Sequence, residues 1–251
     1  MSDAPLAVRF AASGLDWIVP DWPAPPNVHA FSTTKNGEGG GTLDLGRRNA
    51  DIVSVQQLLR WLPREPVWLD QVHGRAIIDA DDVARSGVAP SPADGAVART
   101  TNIVCAVLSA DCLPVLLTDR DGSVVAAVHA GWRGLAAGVL EAAVAMMRVE
   151  PSSLLAWLGP AIGPNAFEVG NDVRAAHCAG DPGAAACFLA YRTGKWLADL
   201  SALARRRLAR IGLASVHGGG RCTFTEREVF YSYRRGGEQA NGRMATLIWR
   251  A

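Results

Sequence analysis

Residues 109–134 read SADCLPVLLTDRDGSVVAAVHAGWRG, two nearly unbroken apolar runs joined by a polar turn. Continuous apolar runs are typical of strands that are covered on both faces, so both runs are predicted to be buried strands. Cys112 opens the first run and His129 ends the second. Pro114 has no N–H for a strand ladder, so we expect the chain to leave regular pairing at Cys112. Side chains at such strand ends face a common cleft, which makes this stretch the first place to look for a site.

The composition is that of a globular protein. The chain has 251 residues, 49% hydrophobic and 20% charged, enough for a large core. Its apolar runs end well before the length that spans a membrane, and its first residues have no unbroken apolar segment, so we expect no membrane association, no signal peptide and a cytoplasmic location. The net charge is +1 and the arginines are scattered, which argues against a nucleic-acid partner. Five cysteines without a C-x-x-C pair predict free thiols or ligands and no disulfide frame.

The order of patterns predicts a single α+β domain over residues 1–251, with 1–27 as an irregular N-terminal segment. No repeat or linker divides the chain, and strand patterns alternate with helical ones along its length, which favours mixed β-sheets with helices packed on their outer faces. Helices are predicted over 49–62, 133–148 and 195–212. Strands are predicted over 28–34, 66–74, 75–80, 103–110, 113–119, 123–130, 154–160, 221–224, 230–235 and 244–250.

Three residues carry the most chemistry, because His73, Cys112 and His129 all stand where a buried run gives way to a turn. Two imidazoles and a thiolate suit zinc with a fourth position left for water or substrate. The same three groups also suit copper. A third alternative needs no metal, with Cys112 as a nucleophile and a histidine as its base. Spacing along the chain leaves these alternatives open, since the three residues come from different strands.

The other cysteines and the segment after His129 give weaker signals. Cys105 is predicted to be a core residue, and the remaining cysteines are assigned to structure by default. Gly131 and Arg133 begin a predicted helix, where backbone N–H groups and a guanidinium form an anion pocket; a glycine turn with a packed tryptophan is the alternative. Asp111 either supports a ligating histidine, contacts the substrate or caps a nearby N–H.

Several blocks of the chain resemble a known family. DQVHG, ADG, SADCLPVLL, AAVHAGWRGLAAGVLE, WLGPAIGPNAFEVG, RCTFTE, FYSYRR and GRMATLIW occur in the order found in the bacterial YfiH-like proteins. These are also called the laccase-domain or multicopper polyphenol oxidase family and are described as purine nucleoside phosphorylases. The resemblance covers residue 28 to the C-terminus. It departs from the family in TTKNGEGGGTLDLG, where Lys35 and Asp44 stand near the family's Arg-x-Gly-Gly and Asn-Leu-Gly positions.

The resemblance implies a YfiH-like fold and a metal site, usually zinc, on His73, Cys112 and His129. It further implies phosphorolysis of adenosine, inosine and methylthioadenosine, with adenosine deamination as a side activity. The catalytic residues would be those three. From the residues themselves we expect Gly131 and Arg133 to bind phosphate and Asp111 to contact the substrate. The protein would be a monomer or a small homo-oligomer.

Two other activities stay open at this point. Some relatives are described as peptidoglycan editing factors, which would use Cys112 and His129 for amide hydrolysis of cytoplasmic precursors. A laccase-like oxidation of phenols would need copper. A trinuclear copper cluster with a further copper is built largely from histidines, and this chain has five in all.

Overall fold

The computed structural model of the protein describes residues 4–46, 52–88, 92–237 and 242–251. Helices and strands alternate along the chain. The helices are α1 (Leu6–Ala12), α2 (Ile52–Leu59), α3 (Ala80–Ser86), α4 (Trp132–Ala137), α5 (Val139–Met147), α6 (Asn171–Cys178), α7 (Leu200–Arg210) and α8 (Tyr233–Gly236). The strands are β1 (Val28–Ser32), β2 (Ile77–Asp79), β3 (Gly95–Ala98), β4 (Cys105–Ser109), β5 (Leu113–Asp119), β6 (Val125–Ala130), β7 (Leu154–Leu158), β8 (Glu168–Gly170), β9 (Phe188–Arg192), β10 (Lys195–Ala198), β11 (Ser215–Gly218) and β12 (Met244–Arg250).

Within the described residues, these strands form three sheets. The largest has six strands in the order β11-β7-β5-β6-β3-β2 and is mixed, because the β11–β7 and β2–β3 pairs are parallel and the others antiparallel. A three-stranded antiparallel sheet, β1-β12-β4, packs against it through β4 and β12. A smaller antiparallel sheet has the order β8-β10-β9. The predicted α+β class with mixed sheets is confirmed.

Residues 109–134, which contain β5 and β6, form the centre of the large sheet. All residues of β5 and β6 are buried, as the two apolar runs predicted. The turn between them is closed by Asp119, whose carboxylate accepts hydrogen bonds from the N–H groups of Ser123 (2.7 Å) and Val124 (3.2 Å). Gly122 adopts the left-handed conformation that this turn requires (φ 62°).

The core lies on both faces of the large sheet. Val115 and Leu117 of β5 belong to the cluster shared with α5 and α7, whereas Leu116 belongs to the cluster shared with β4. This alternation follows from the two-residue period of a strand. A third cluster, around Phe10 and Leu58, covers the far face of the three-stranded sheet with α1 and α2. Helices therefore pack on the outer faces of the sheets, as predicted.

The N-terminal segment is more regular than predicted. Residues 1–27 were expected to be irregular, but they contain helix α1, whose Phe10 is 1% exposed and packs edge-on against Trp17, Phe31 and Trp61 at 4.8–5.2 Å. Pro5 precedes the helix without a side-chain cap, so the usual sequence signal for a helix start is missing. The helix is stabilised by aromatic packing with distant parts of the chain.

Several other predicted elements differ in extent. The helix predicted over 133–148 is divided at Gly138, which is left-handed (φ 95°), into α4 and α5. The pattern over 195–212 begins as strand β10, and its helix starts only after Asp199, whose carboxylate accepts from the Ala202 N–H. Helix α2 is shorter than predicted, and the proposed cap Asn49 lies outside the described residues.

Three predicted strand regions do not pair as strands in the part of the chain that the structure describes. Residues 66–74 make one isolated bridge, between Val67 and Cys105. Further along, the side-chain amide of Gln71 bonds to both the N–H and the carbonyl oxygen of Leu108, at 2.8 Å each, in the place of a backbone ladder. In the segment predicted as strand over 230–235, α8 begins after Ser232, whose hydroxyl caps the Arg235 N–H (3.2 Å). Residues 221–224 contribute only an isolated bridge through Cys222.

Among the described residues, every helix is too short or too polar to cross a bilayer.

Candidate metal centre

One edge of the six-stranded sheet collects the ends of several strands. Leu113, the first residue of β5, pairs with Ala130, the last residue of β6. Gly95, the first residue of β3, pairs with Val128 near that same end. Strand β2 runs parallel to β3 and so begins at the same edge, and β7, antiparallel to β5, ends there. Residues that precede β2, β3 and β5 therefore lie close to residues that end β6.

Three side chains meet at this edge. The imidazole nitrogens of His73 and His129 and the Sγ of Cys112 that are available as ligands all lie within 4.8 Å of one another. The two rings are 4.8 Å apart between centroids and nearly perpendicular, at 81°. His129 is buried, Cys112 is half-buried and His73 is exposed. The structure thus brings together the three residues that the sequence singled out, and His73 lies on the side open to solvent.

Asp94 organises this group, and the sequence analysis gave it no role. The residue is fully buried just before β3. Its Oδ1 accepts hydrogen bonds from His129 Nδ1 (2.8 Å) and His73 N (2.9 Å), and its Oδ2 accepts from Gly74 N (2.6 Å) and Val72 N (3.3 Å). The Asp94 carboxylate therefore fixes the ring of His129 and the backbone of His73, which is left-handed at φ 60°. The only sequence signal was the ADG block, noted for its resemblance alone.

Burial and charge act against each other on these groups. Burial opposes ionisation of the Cys112 thiol, but the charge and hydrogen bonds of His129 and His73 outweigh it and lower the pKa to about 6. Burial also disfavours a charged His129, but Cys112 and Asp94 outweigh it and raise the pKa of the ring to about 9. For Asp94, the bonds from His129, Gly74 and His73 overcome burial and hold the pKa below its usual range. Cys112 is therefore a thiolate at neutral pH, the form that binds metals.

The donor set fits a metal ion. A thiolate with two imidazoles is a ligand set for zinc, and sites with three protein ligands keep a position for water or substrate. Copper also accepts imidazole and thiolate. Because Asp94 occupies Nδ1 of His129, Nε2 remains as the ligand atom, and a carboxylate behind a ligating histidine is the usual support of such a site. In the part of the chain that the structure describes, no fourth histidine, cysteine or acidic residue joins the group.

The glycines after His129 allow the chain to pack on this group. A Cβ on Gly131 would lie 3.0 Å from Cys112 Sγ and 3.1 Å from His73 Cδ2. A Cβ on Gly134 would lie only 2.5 Å from the carbonyl oxygen of Gly74. A side chain at Gly131 would displace Cys112 and His73, and one at Gly134 would displace the Gly74 backbone, so the HAGWRG stretch has the packing role that was the alternative to an anion pocket.

The structure retains only part of the anion pocket predicted at Gly131 and Arg133. Helix α4 has only six residues, so its dipole is weaker than that of the long helix that was expected. Arg133 is exposed, and its guanidinium lies over the neighbouring Trp132 ring, 4.5 Å from the centroid. Arg133 follows shortly after His129 in the chain, and its exposed guanidinium is accessible to an anion.

Asp111 has a different setting from the predicted substrate contact. Its Oδ1 accepts from Thr223 Oγ1 (2.5 Å), and its Oδ2 accepts from Ser232 Oγ (2.9 Å) and Arg234 N (2.7 Å). Both carboxylate oxygens are thus engaged within the protein, and the residue is 8% exposed. The hydrogen bond to a candidate ligand histidine, considered for Asp111, is made by Asp94. Asp111 instead ties residues 223–234 to the position next to Cys112.

The sequence and the fold are similar to those of known proteins. Residues 46–251 match the family described as multi-copper polyphenol oxidoreductase laccase. A Shigella flexneri relative named purine nucleoside phosphorylase YfiH is 47% identical over 243 residues, which are 92% of this chain and 98% of the relative. Purine nucleoside phosphorylase PA4543 of Pseudomonas aeruginosa is 45% identical over 245 residues, 93% of this chain and 98% of the relative.

Solved structures have the same fold. Protein NMB0706 of Neisseria meningitidis superposes with a TM-score of 0.85 at 46% identity and covers 94% of this chain and 99% of its own. YlmD of Geobacillus stearothermophilus superposes with a TM-score of 0.78 at 26% identity and covers 90% and 92%.

Proposed function

The chain belongs to the multi-copper polyphenol oxidoreductase laccase family, and from this premise we propose that it is a purine nucleoside phosphorylase whose catalytic centre is formed by His73, Cys112 and His129. One observation carries the proposal: these three side chains converge at one sheet edge, in a chain 47% identical to a relative named for that activity. Adenosine, inosine and methylthioadenosine are the proposed substrates, and adenosine deamination is the proposed side activity.

The three side chains would hold a zinc ion, with copper as the alternative. When bound, such an ion supplies Lewis acidity that stabilises negative charge developing on the substrate. The chain's own residues set the geometry: Asp94 orients the His129 ring through Nδ1 and fixes the loop that carries His73. Cys112 contributes a thiolate, because its pKa is lowered to about 6. Ligand positions held in this way remain fixed while the substrate binds.

Phosphorolysis also needs a site for phosphate. In this reaction a phosphate oxygen bonds to C1′ of the sugar while the bond from C1′ to the base nitrogen breaks, which yields a sugar 1-phosphate and a free base. We assign phosphate binding to Arg133 and to the backbone at Gly131, because this turn packs on Cys112 and the guanidinium of Arg133 is accessible. Asp111 contributes indirectly, since it holds residues 223–234 beside the centre.

A second candidate rests on the pairing of Cys112 with His129. A thiolate next to an imidazolium is also the arrangement of a cysteine nucleophile with its base, and it would suit amide hydrolysis of a peptidoglycan precursor. The two candidates differ in their need for metal, because a thiol nucleophile must be free of it. A laccase reaction is the least supported, since five histidines are too few for the usual set of copper centres.

The test is incubation of purified, metal-analysed protein with adenosine, with and without phosphate, followed by chromatography. We expect phosphate-dependent adenine, lost in Cys112→Ala and retained in Cys178→Ala, which removes a half-buried thiol elsewhere. Inosine formed without phosphate would report the deaminase activity. Absence of adenine, together with chelator-resistant cleavage of a muropeptide amide, would replace the proposal with the hydrolase.

A cytoplasmic location and a monomeric or small oligomeric state are proposed with this function. All five cysteines are free thiols, which suits a reducing compartment.

A further inference from the structure

A second arginine is anchored beside the metal centre, at Arg234. Its backbone N–H donates to Asp111 Oδ2 at 2.7 Å, and Asp111 directly precedes Cys112 in the chain. Ser232 bonds to the same carboxylate, so the start of α8 is fixed at two points, and Thr223 ties the preceding segment to that group. Asp111 itself is held in the left-handed conformation, at φ 85°, which a non-glycine residue adopts at a cost. The backbone of Arg234 therefore lies within one hydrogen bond of the residue next to a metal ligand.

The side chain of Arg234 is held outside the core with its charge available. Its Nη1 donates to the carbonyl oxygen of Glu168 at 2.8 Å, and its Cζ lies 5.4 Å from the centroid of the Phe167 ring. Both oxygens of the Glu168 carboxylate accept from Arg192 Nη2 at 2.8 Å. The bonds from Arg192 lower the pKa of this carboxyl group most, and the nearby charge of Arg234 adds to that effect. A guanidinium has five N–H donors and the Glu168 carbonyl takes one of Arg234's, so its exposed part retains donors for a ligand.

The two arginines are connected to the centre through different neighbours of β5, the strand that follows Cys112. Strands β6 and β7 flank β5, and both end at the sheet edge where His73, Cys112 and His129 meet. Arg133 follows β6 in the chain. The loop after β7 is tied to the centre by the bond from Ile162 N to the carbonyl oxygen of Asp111 (2.9 Å), and this loop leads to Phe167 and Glu168, which hold Arg234.

We propose that Arg234 binds the phosphate group of the phosphorolysis reaction from the β7 side of the centre, opposite Arg133. This inference rests on the proposed function. A planar guanidinium recognises phosphate oxygens through two parallel N–H bonds, and one that is already fixed loses little conformational entropy when it does so. The ligand at Arg234 is therefore a phosphate dianion, while the purine and sugar occupy other parts of the cleft.

The test uses the full-length, metal-loaded protein with inorganic phosphate as the probe. The dissociation constant of phosphate is measured by isothermal titration calorimetry, and the KM for phosphate at saturating inosine is measured alongside. For Arg234→Ala we expect both to rise by about 10- to 100-fold, the loss typical of hydrogen bonds to a charged group, with the KM for inosine nearly unchanged. Arg234→Lys keeps the charge but not the paired donors and should recover only part of the affinity. Arg192→Ala, which removes the other arginine bound to Glu168, should bind phosphate like the wild type.

Unchanged phosphate affinity in both Arg234 variants would overturn the inference, as would loss of affinity in Arg133→Ala alone. Circular dichroism and metal content separate misfolding from a lost contact, and if Arg234→Ala misfolds, the lysine variant decides. Calorimetry measures phosphate binding independently of catalysis. If the protein binds phosphate through Arg234 but does not cleave nucleosides, the proposed function is refuted and the phosphate site still stands. A wild-type protein that does not bind phosphate would refute the site.

Discussion

Replacement of Asp94 by asparagine tests how much the metal centre depends on one carboxylate. Four N–H donors point at its two oxygens, two at each: His129 Nδ1 and His73 N at Oδ1, and Gly74 N and Val72 N at Oδ2. Asparagine has nearly the same shape but only one accepting oxygen. Whichever way its amide turns, two of these donors face an NH₂ group that cannot accept from them.

The expected cost follows from that count. An unsatisfied buried donor costs about 1–3 kcal/mol, and the backbone donors of Val72, His73 and Gly74 are only partly buried, so we expect a total loss of about 1–3 kcal/mol in the free energy of unfolding. Loss of the support behind a ligating histidine typically lowers metal affinity by about 10- to 100-fold. Both effects should appear in Asp94→Asn, because the same carboxylate holds the His129 ring and the loop of His73.

Urea unfolding of the metal-stripped protein gives the first quantity, and zinc competition against a chromophoric chelator gives the second. Asp119→Asn is the matched control. Asp119 is also buried and also accepts bonds from backbone N–H groups, but it lies at the opposite end of β5. In Asp119→Asn one oxygen can still accept from both backbone N–H groups, because both bond to Oδ1, and the control should keep its zinc affinity. Equal zinc affinity in Asp94→Asn and wild type would refute the reasoning, even if the variant is less stable.

Three further predictions concern single positions. In metal-stripped protein, alkylation of Cys112 by iodoacetamide should increase with pH around a midpoint of about 6, because its pKa is lowered; a midpoint near 8.5, typical of free cysteine, would contradict the thiolate. Gly134→Ala should cost about 1–3 kcal/mol in urea unfolding by overpacking against the Gly74 carbonyl, whereas Gly180→Ala, with open space around it, should be neutral; equal stabilities would refute the close packing. Burial lowers the pKa of His177 from 6.5 to about 4. As the pH falls from 6.5 to 4 the unfolded chain therefore takes up the proton first, and the free energy of unfolding should fall by up to about 3 kcal/mol. If His177→Gln loses stability with acid just as the wild type does, this prediction is wrong.

The central strands of the large sheet and the convergence of His73, Cys112 and His129 were predictable because both depend on local patterns, whereas β3 and β11 of the same sheet were not predicted. Unbroken apolar runs identify β5 and β6, and the runs end at Cys112 and His129. Asp94 was not predictable in the same way. It lies 21 residues from His73 and 35 from His129 in the chain, and only the register of β3 against β6 brings its carboxylate to them. From the sequence, a related role was considered for Asp111, which directly precedes Cys112.

Elements that depend on distant contacts were also missed. Strand β9 is largely exposed and has no apolar alternation, so its pairing in the small sheet left no pattern to read. Helix α1 lacks a cap and is held by the aromatic ring of Phe10. Gln71 replaces a backbone ladder with its side chain, which turned a predicted strand into an extended segment. In each case tertiary packing decided the local structure.

The most direct test of the central claim is the identity of the product, observed by ³¹P NMR of the zinc-loaded protein with inosine and inorganic phosphate. Phosphorolysis at the centre formed by His73, Cys112 and His129 predicts a growing sugar 1-phosphate resonance, in step with hypoxanthine release and lost in Cys112→Ala. Hypoxanthine released without any new phosphorus resonance would show hydrolysis and contradict the phosphorylase, and a sugar 1-phosphate formed equally by Cys112→Ala would place the reaction elsewhere.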